Sequence, residues 1–391
     1  MALLLPAPCC ADPAASGEAP LVEWGALYVA DALRNVHGGL REGSAYLDYL
    51  ELAAAYDAGR ALGVGDLTLF ASLFRTNSPT FSDRYVGDAM AVSSIDSERA
   101  LRVLEAWIDW GFDARGPGSL RVGLYDLNSE FDTTESRRLF VNSAYGIGQE
   151  LAQTGHNGPS IFPVTALAAR LAWMPHEAWQ LELAVVDGVP GDPEGTHRGR
   201  LHLSRSEGAL CIAEATVAMG PLAQLSLGHW QYTETFAVMR PKGPARSATL
   251  EDNNRGTYLT AEFAPGTARA GDAVRWRAFV RAGEANSRIN VFERHVAAGV
   301  VVNWPWPAGP GSQLGLAVAE ARVGADYRAR QQSLGNPADR YERNVELTWR
   351  VPLGEHVVLQ PDLQHVVNPG ADQRVPDAWV IGLRIELAVS R

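Results

Sequence analysis

The sequence predicts an all-β chain closed into a transmembrane, antiparallel, up-and-down barrel of sixteen strands, with short periplasmic turns and long extracellular loops. Three observations carry this. Near the C-terminus Trp379, Ile381, Leu383, Ile385, Leu387 and Val389 alternate with Gly382, Arg384 and Glu386. Side chains of a strand alternate faces, so one face is apolar and the other polar. An apolar row of about ten residues suits a tilted strand crossing a bilayer, which needs ~9–11. Segments of this kind also recur along the whole chain, joined alternately by short turns and long loops, as in single-chain outer-membrane barrels. Finally, no apolar run reaches the roughly 18 residues that a spanning helix requires. A barrel escapes that test because half of each strand is polar.

Taken in order, residues 1–23 read as a leader or disordered N-terminal segment and 24–391 as a single barrel domain. Leu27–Arg34 is the first strand, although its Ala and Asp content also suits a helix. Tyr46–Tyr56 and Asp66–Phe74 follow around a Gly-containing turn, then the polar loop Arg75–Arg99. Leu101–Phe112 turns at Gly116-Pro117-Gly118 into Leu120–Asp126, and Leu127–Pro163 is the longest connection. Val164–Met174 pairs with Trp179–Asp187, Gly208–Ala218 with Leu222–Tyr232, and Gly256–Ala264 with Asp272–Arg281. His295–Trp304 turns through Pro305–Gly311 into Ser312–Arg322, and three strands between Arg343 and Val389 complete the set. Pro and Gly collect in the connections, where a missing donor or a positive φ is tolerated.

The faces sort by charge. Leu120, Val122 and Leu124 oppose Arg121, Gly123 and Tyr125; Val274, Trp276, Ala278 and Val280 oppose Arg275, Arg277, Phe279 and Arg281. Arg170, Glu182 and Glu262 likewise fall on polar rows. A basic side chain on the lipid face near the midplane costs ~2–4 kcal/mol, so these rows belong to a wet lumen. Tyr46–Tyr56 alone resists sorting, with Asp48 and Glu51 on opposite faces. Trp110, Trp173, Trp304, Trp349 and Trp379 mark strand ends, where an aromatic girdle lies.

Composition excludes several functions. The formal net charge of −11 argues against nucleic acid as partner, since phosphate binding needs a basic stripe. Three cysteines, Cys9, Cys10 and Cys211, make neither a disulfide framework nor a zinc pattern, and Cys211 reads as a small packed residue. No nucleophile elbow, zinc-protease helix, dinucleotide fingerprint or P-loop is present, so no catalytic residue is assigned. The expectation is no enzyme, no cofactor and no metal; Asp187-Gly188 with Gly191-Asp192 is a hairpin tip more readily than a calcium loop.

A family resemblance then emerges. Gln360-Pro361-Asp362-Leu363-Gln364, Asn368-Pro369-Gly370 and the closing Gly382-Leu383-Arg384 strand resemble the C-terminal signature of the carbohydrate-selective porins of the OprB family. Gly38-Gly39, Trp107, Arg121-Val122-Gly123, Phe140-Val141-Asn142-Ser143 with Gly146, Val186-Asp187-Gly188 and Gly228-His229-Trp230 fit in the same order. The end, Ala388-Val389-Ser390-Arg391, departs from the aromatic terminus that family members carry. The resemblance implies passive diffusion of small sugars through the outer membrane of a Gram-negative bacterium, with loops folding inward to narrow a water-filled pore. Its partners would be small carbohydrates, outer-membrane lipid and lipopolysaccharide, and the barrel-assembly machinery, with a homotrimer as the candidate assembly.

A pore has a constriction instead of a catalytic centre, and its side chains set which solutes pass. The inward-facing candidates are Glu105, Trp107, Asp109, Arg121, Tyr125, Arg170, Glu182, Trp230, Arg275 and Arg277. Phe131, Asp132, Arg137, Asn142 and Tyr145 join them if the third loop enters the lumen. Glu105 and Arg121, on adjacent strands, are placed to pair. The competing readings are a secreted, soluble all-β carbohydrate-binding protein, a general or anion-preferring porin, and a barrel enzyme for which no constellation can be assembled.

Overall fold

The computed structural model describes residues 20–77, 80–113, 117–191, 207–219, 223–239, 251–264, 275–306 and 309–391. Val274, Asp192 and the head of the predicted ninth strand at Leu222 fall outside them. The strands are β1 Val22–His37, β2 Gly43–Asp57, β3 Leu67–Thr76, β4 Ala100–Phe112, β5 Gly118–Tyr125, β6 Ala166–His176, β7 Trp179–Asp187 and β8 Ala209–Ala218. They continue with β9 Ala223–Ala237, β10 Glu251–Phe263, β11 Arg275–Ala285, β12 Phe292–Trp306, β13 Gly309–Val323, β14 Tyr341–Pro352, β15 Val357–Val367 and β16 Ala378–Ser390. Each pairs antiparallel with its neighbours in the chain, and β1 meets β16 to close the barrel.

Closure leaves no open edge for another strand to join. It also leaves the apolar rows facing out with no second sheet against them: Leu347 and Leu383 remain 42% and 40% exposed. That geometry excludes the soluble sandwich. Trp24, Trp110, Trp179 and Trp276 stand exposed at the short-turn ends of their strands, a girdle at one membrane interface.

The differences from expectation have local causes. β1 runs well beyond Leu27–Arg34 because Leu27, Val29 and Leu33 point inward beside Asp31 and are covered by a loop, so its inner face mixes apolar and acidic residues and its pattern is blurred. β2 resolves the conflict between its acids: Glu51 is inward and fully buried, whereas Asp48 turns outward and accepts from Arg75 Nη1 at 3.0 Å. On β4 the register slips opposite Ser72 and Leu73, a bulge that leaves Leu104 buried. The turn after β12 is tighter than Pro305–Gly311, since Trp306 pairs with Gly309. Cys211 is half-buried, its neighbours Leu210 and Ile212 being the buried inward pair. At Gly38 (φ +69°) a side chain would sit 1.7 Å from the Asp377 carbonyl oxygen, so glycine lets the β1–β2 turn lie against the β15–β16 loop.

Candidate pore constriction

Two loops fill the lumen. L2 joins β3 to β4 and L3 joins β5 to β6. L2 brings Phe81, Val86, Val92 and Ile95 against the inward apolar residues of β1, including Leu27 and Val29. L3 buries Leu127, Phe131, Ile147 and Leu151 against β5–β10, and Leu139, Phe140 and Tyr145 against β11–β13. The loops meet where Ser94 N–H donates to Val141 O (2.8 Å) and Ser143 N–H to Ala91 O (3.0 Å). Together they form an inner collar.

Loop backbone inside a barrel needs hydrogen-bond partners, because an unpaired buried amide costs about 1–3 kcal/mol. Wall carboxylates supply them. Glu346 accepts Val141 N–H (2.6 Å) and Asn142 N–H (3.0 Å), Glu214 accepts Asp132 N–H (2.9 Å), and Glu262 accepts Ser136 N–H (2.7 Å). Glu342 accepts the N–H groups of Ala89 and Met90, both at 2.8 Å, and that of Gly370. Gln360 and Gln364 donate to Leu139 O and Val92 O, each at 2.7 Å. The acids that sequence places on a polar lumen row thus hold loops to the wall.

One ionic node is deeper still. Asp132 accepts from Arg137 Nη1 (2.9 Å), Arg281 Nη2 (2.9 Å) and Gly148 N–H (3.0 Å), and Glu150 meets the same Arg281 guanidinium. A side chain at Gly148 would lie 2.2 Å from the guanidinium of Arg281, so glycine permits the approach. Burial alone would raise the Asp132 carboxyl; Arg281 and Arg137 outweigh it and hold the group at about 2.

Inside the collar lies a cavity of about 500 Å³, within the range of small-molecule sites, and the described residues that bound it all belong to L2 and L3. Ser93, Ser94, Asn128, Ser129, Thr133 and Gln153 give it hydroxyl and amide groups, and Phe162 an apolar ring. Phe162 is half-buried, packed on Tyr49 and Phe74 through edge contacts of 5.6 and 5.2 Å.

The sequence-derived candidates divide into three groups. Asp109, Arg121 and Arg170 come together with Glu130 of L3: Arg121 Nε and Arg170 Nη2 reach Asp109 at 2.8 and 3.1 Å, and Arg170 Nε reaches Glu130 at 2.8 Å. Trp107 joins them with both faces covered, Phe70 stacking at 4.7 Å and the Arg121 guanidinium at 3.7 Å. Glu105, Tyr125, Glu182 and Trp230 are buried behind L3. Glu105 pairs with Asp126 N–H (3.1 Å) and not with Arg121, because Asp109 and Glu130 claim that guanidinium. Tyr125 OH binds Glu130, and Trp230 sits in an apolar cluster with Phe131. Arg275 and Arg277 remain accessible on the wall, Arg277 paired with Glu135 and Glu262.

Among the loop candidates, Asp132 and Arg137 belong to the ionic node. Asn142 Nδ2 donates to Gln364 (3.0 Å), and Tyr145 OH donates to Asn344 (3.1 Å). Sequence reasoning missed Arg138, Phe162 and the L2 serines of the cavity, which alternate with nothing and carry no motif. It also missed Glu342 and Glu346 as anchors, for which acids at the middle of a lumen row are the available signal.

Residues 41–388 match the family model of the carbohydrate-selective porins, OprB family. The chain belongs to that family. It is an outer-membrane porin for carbohydrates, with the long loops extracellular and the short turns periplasmic. Over 92% of its length this porin is 23% identical to Porin B of Pseudomonas aeruginosa, covering 86% of that protein. The high-pH structure of Pseudomonas putida OprB superposes with a TM-score of 0.83 at 22% identity, over 94% of each chain. The low-pH structure of the same protein gives 0.58 at 15% identity, over 94% of this chain and 92% of that one. Both likenesses bear on the fold. No cluster of three or more metal-ligating side chains occurs among the described residues.

Proposed function

We propose that sugars cross this porin through the L2–L3 collar and not along the strand wall. The observation that carries the reading is the 500 Å³ cavity, whose described lining residues all come from the two loops. Its hydroxyls and amides can exchange hydrogen bonds with successive sugar hydroxyls as water is shed, and Phe162 offers the apolar surface that a pyranose face needs. In this reading Asp109, Arg121 and Arg170 brace the root of L3, Glu105, Glu182 and Trp230 support it from behind, and Arg275 and Arg277 line the periplasmic approach. Transport is passive, the chain is a channel and not an enzyme, and residues 24–391 work as one barrel unit, with β1 starting two residues earlier at Val22. Lipopolysaccharide around the outer rows, the assembly machinery and a homotrimer are the partners this reading includes.

Liposome swelling tests it. Neutral hexoses should enter faster than amino acids of equal size, and Ser94→Leu or Ser129→Leu should slow them several-fold. Equal rates for sugars and amino acids, unaffected by either substitution, would rule the collar out as the selective element.

A further inference from the structure

Among the described residues, five charged side chains line the collar cavity: Asp96, Asp126, Asp132, Arg137 and Arg138. Four are already committed. Asp132 and Arg137 are buried against one another. Asp126 is buried and accepts Asn128 N–H at 2.8 Å. Asp96 has both oxygens engaged, by Phe81 N–H (3.0 Å) and Ser82 N–H (2.7 Å).

Arg138 differs. It is exposed, and its hydrogen bond is a single Nη2 contact to Ser129 O at 3.3 Å. Glu135, three residues before it, is drawn off by Arg277. A guanidinium has five N–H donors in a fork that matches a carboxylate, so most of this one faces the passage. Around it stand the neutral groups of Ser129, Asn128 and Thr133.

We infer that Arg138 makes the collar favour acidic sugars, the hexonate and hexuronate class, over neutral and amino sugars. The hydroxyls of such a solute meet the same lining that serves a neutral sugar, while its carboxylate meets the one exposed charge among the described residues of the cavity. The inference rests on the collar reading and narrows its substrate class. Unlike a general preference for anions, it requires both the polyol and the carboxylate.

The experiment is uptake of radiolabelled glucose, gluconate and glucosamine into proteoliposomes, with the membrane potential held at zero and low salt, in wild type, Arg138→Gln and Arg138→Lys. Lactate serves as the small anion without a polyol chain. Each variant is first checked for the heat-modifiable folded band. The wild type should pass gluconate about tenfold faster than glucosamine, a ratio equivalent to ~1.4 kcal/mol. Arg138→Gln should bring that ratio close to one, and Arg138→Lys should keep most of it. Raising the salt should shrink the ratio, as screening demands. Glucose uptake with a gluconate preference absent, or present and untouched by Arg138→Gln, overturns the inference and leaves the collar standing. A lactate preference as large as that for gluconate also overturns it. Loss of size-selective glucose uptake in the wild type would remove the collar reading itself.

Discussion

Arg281 of β11 and Asp132 of L3 meet inside the barrel through contacts of 2.9, 3.2 and 3.3 Å, both side chains fully excluded from solvent. They stand 149 residues apart in the chain. Removing one partner of a buried pair costs about 3–5 kcal/mol. Arg281→Met retains Arg137 beside Asp132 but leaves buried Glu150 without its cation, so the loss should fall within that range. The expected outcome is a folded barrel whose L3 leaves the lumen. Single-channel conductance should rise several-fold and trisaccharides should enter; unchanged conductance would place the loop's hold elsewhere.

Glu342 ties L2 and the β15–β16 loop to the wall at one point, through Ala89, Met90 and Gly370. Leaving a buried backbone amide without its acceptor costs about 1–3 kcal/mol. Glu342→Ala should therefore raise hydrogen exchange over 86–95 and 368–375 together, with strands unaffected. Exchange rising in only one of the two loops would contradict the shared anchor.

Acid should release L3 late. The Asp132 carboxyl, held at about 2, lies below its ordinary value of ~3.9. A depressed pKa contributes stability that is fully present above the unfolded value and lost as pH falls through the folded one. Anchoring by this group should hold at pH 4 and fail as pH approaches about 2, with a difference on the order of 2–3 kcal/mol. Conductance recorded across that interval should step upward near the lower limit, and a step already complete by about pH 4 would be inconsistent with Arg281 and Arg137 as its holders.

Trp107 and Phe162 should behave differently despite being aromatic residues of one pore. Phe70 and Arg121 cover both faces of Trp107, whereas Phe162 opens onto the cavity. Trp107→Leu is expected to leave hexose flux within about twofold, and Phe162→Ala to change the ratio of hexose to glycerol flux by more than that. Reversal of this order in swelling assays would return the sugar contact to the wall.

Leu383 lies between Gly382 and Arg384 on β16 and is directly opposite Ala32 and Pro361. Spin labels there and at Leu347 should show the oxygen accessibility of lipid. Leu383→Arg should cost about 2–4 kcal/mol in urea unfolding from vesicles, as a midplane charge does. A neutral effect would mean the row faces protein.

The sequence by itself determined the sixteen strands, their order and, outside β1 and β2, which rows face lipid, because alternation is local: each residue's face follows from its neighbours two positions away. Arg121, Arg170 and Glu262 were legible as inward for that reason. Only the tertiary structure decided what those inward groups touch. Asn142 reaching Gln364, Glu346 reaching Val141 and Gln364 reaching Val92 join residues more than 200 positions apart. No period in the chain encodes such contacts; they follow from where L2 and L3 find partners for buried backbone amides. The tertiary structure also gathers loop residues that follow no strand rhythm, Ser94, Ser129 and Phe162 among them, around one cavity.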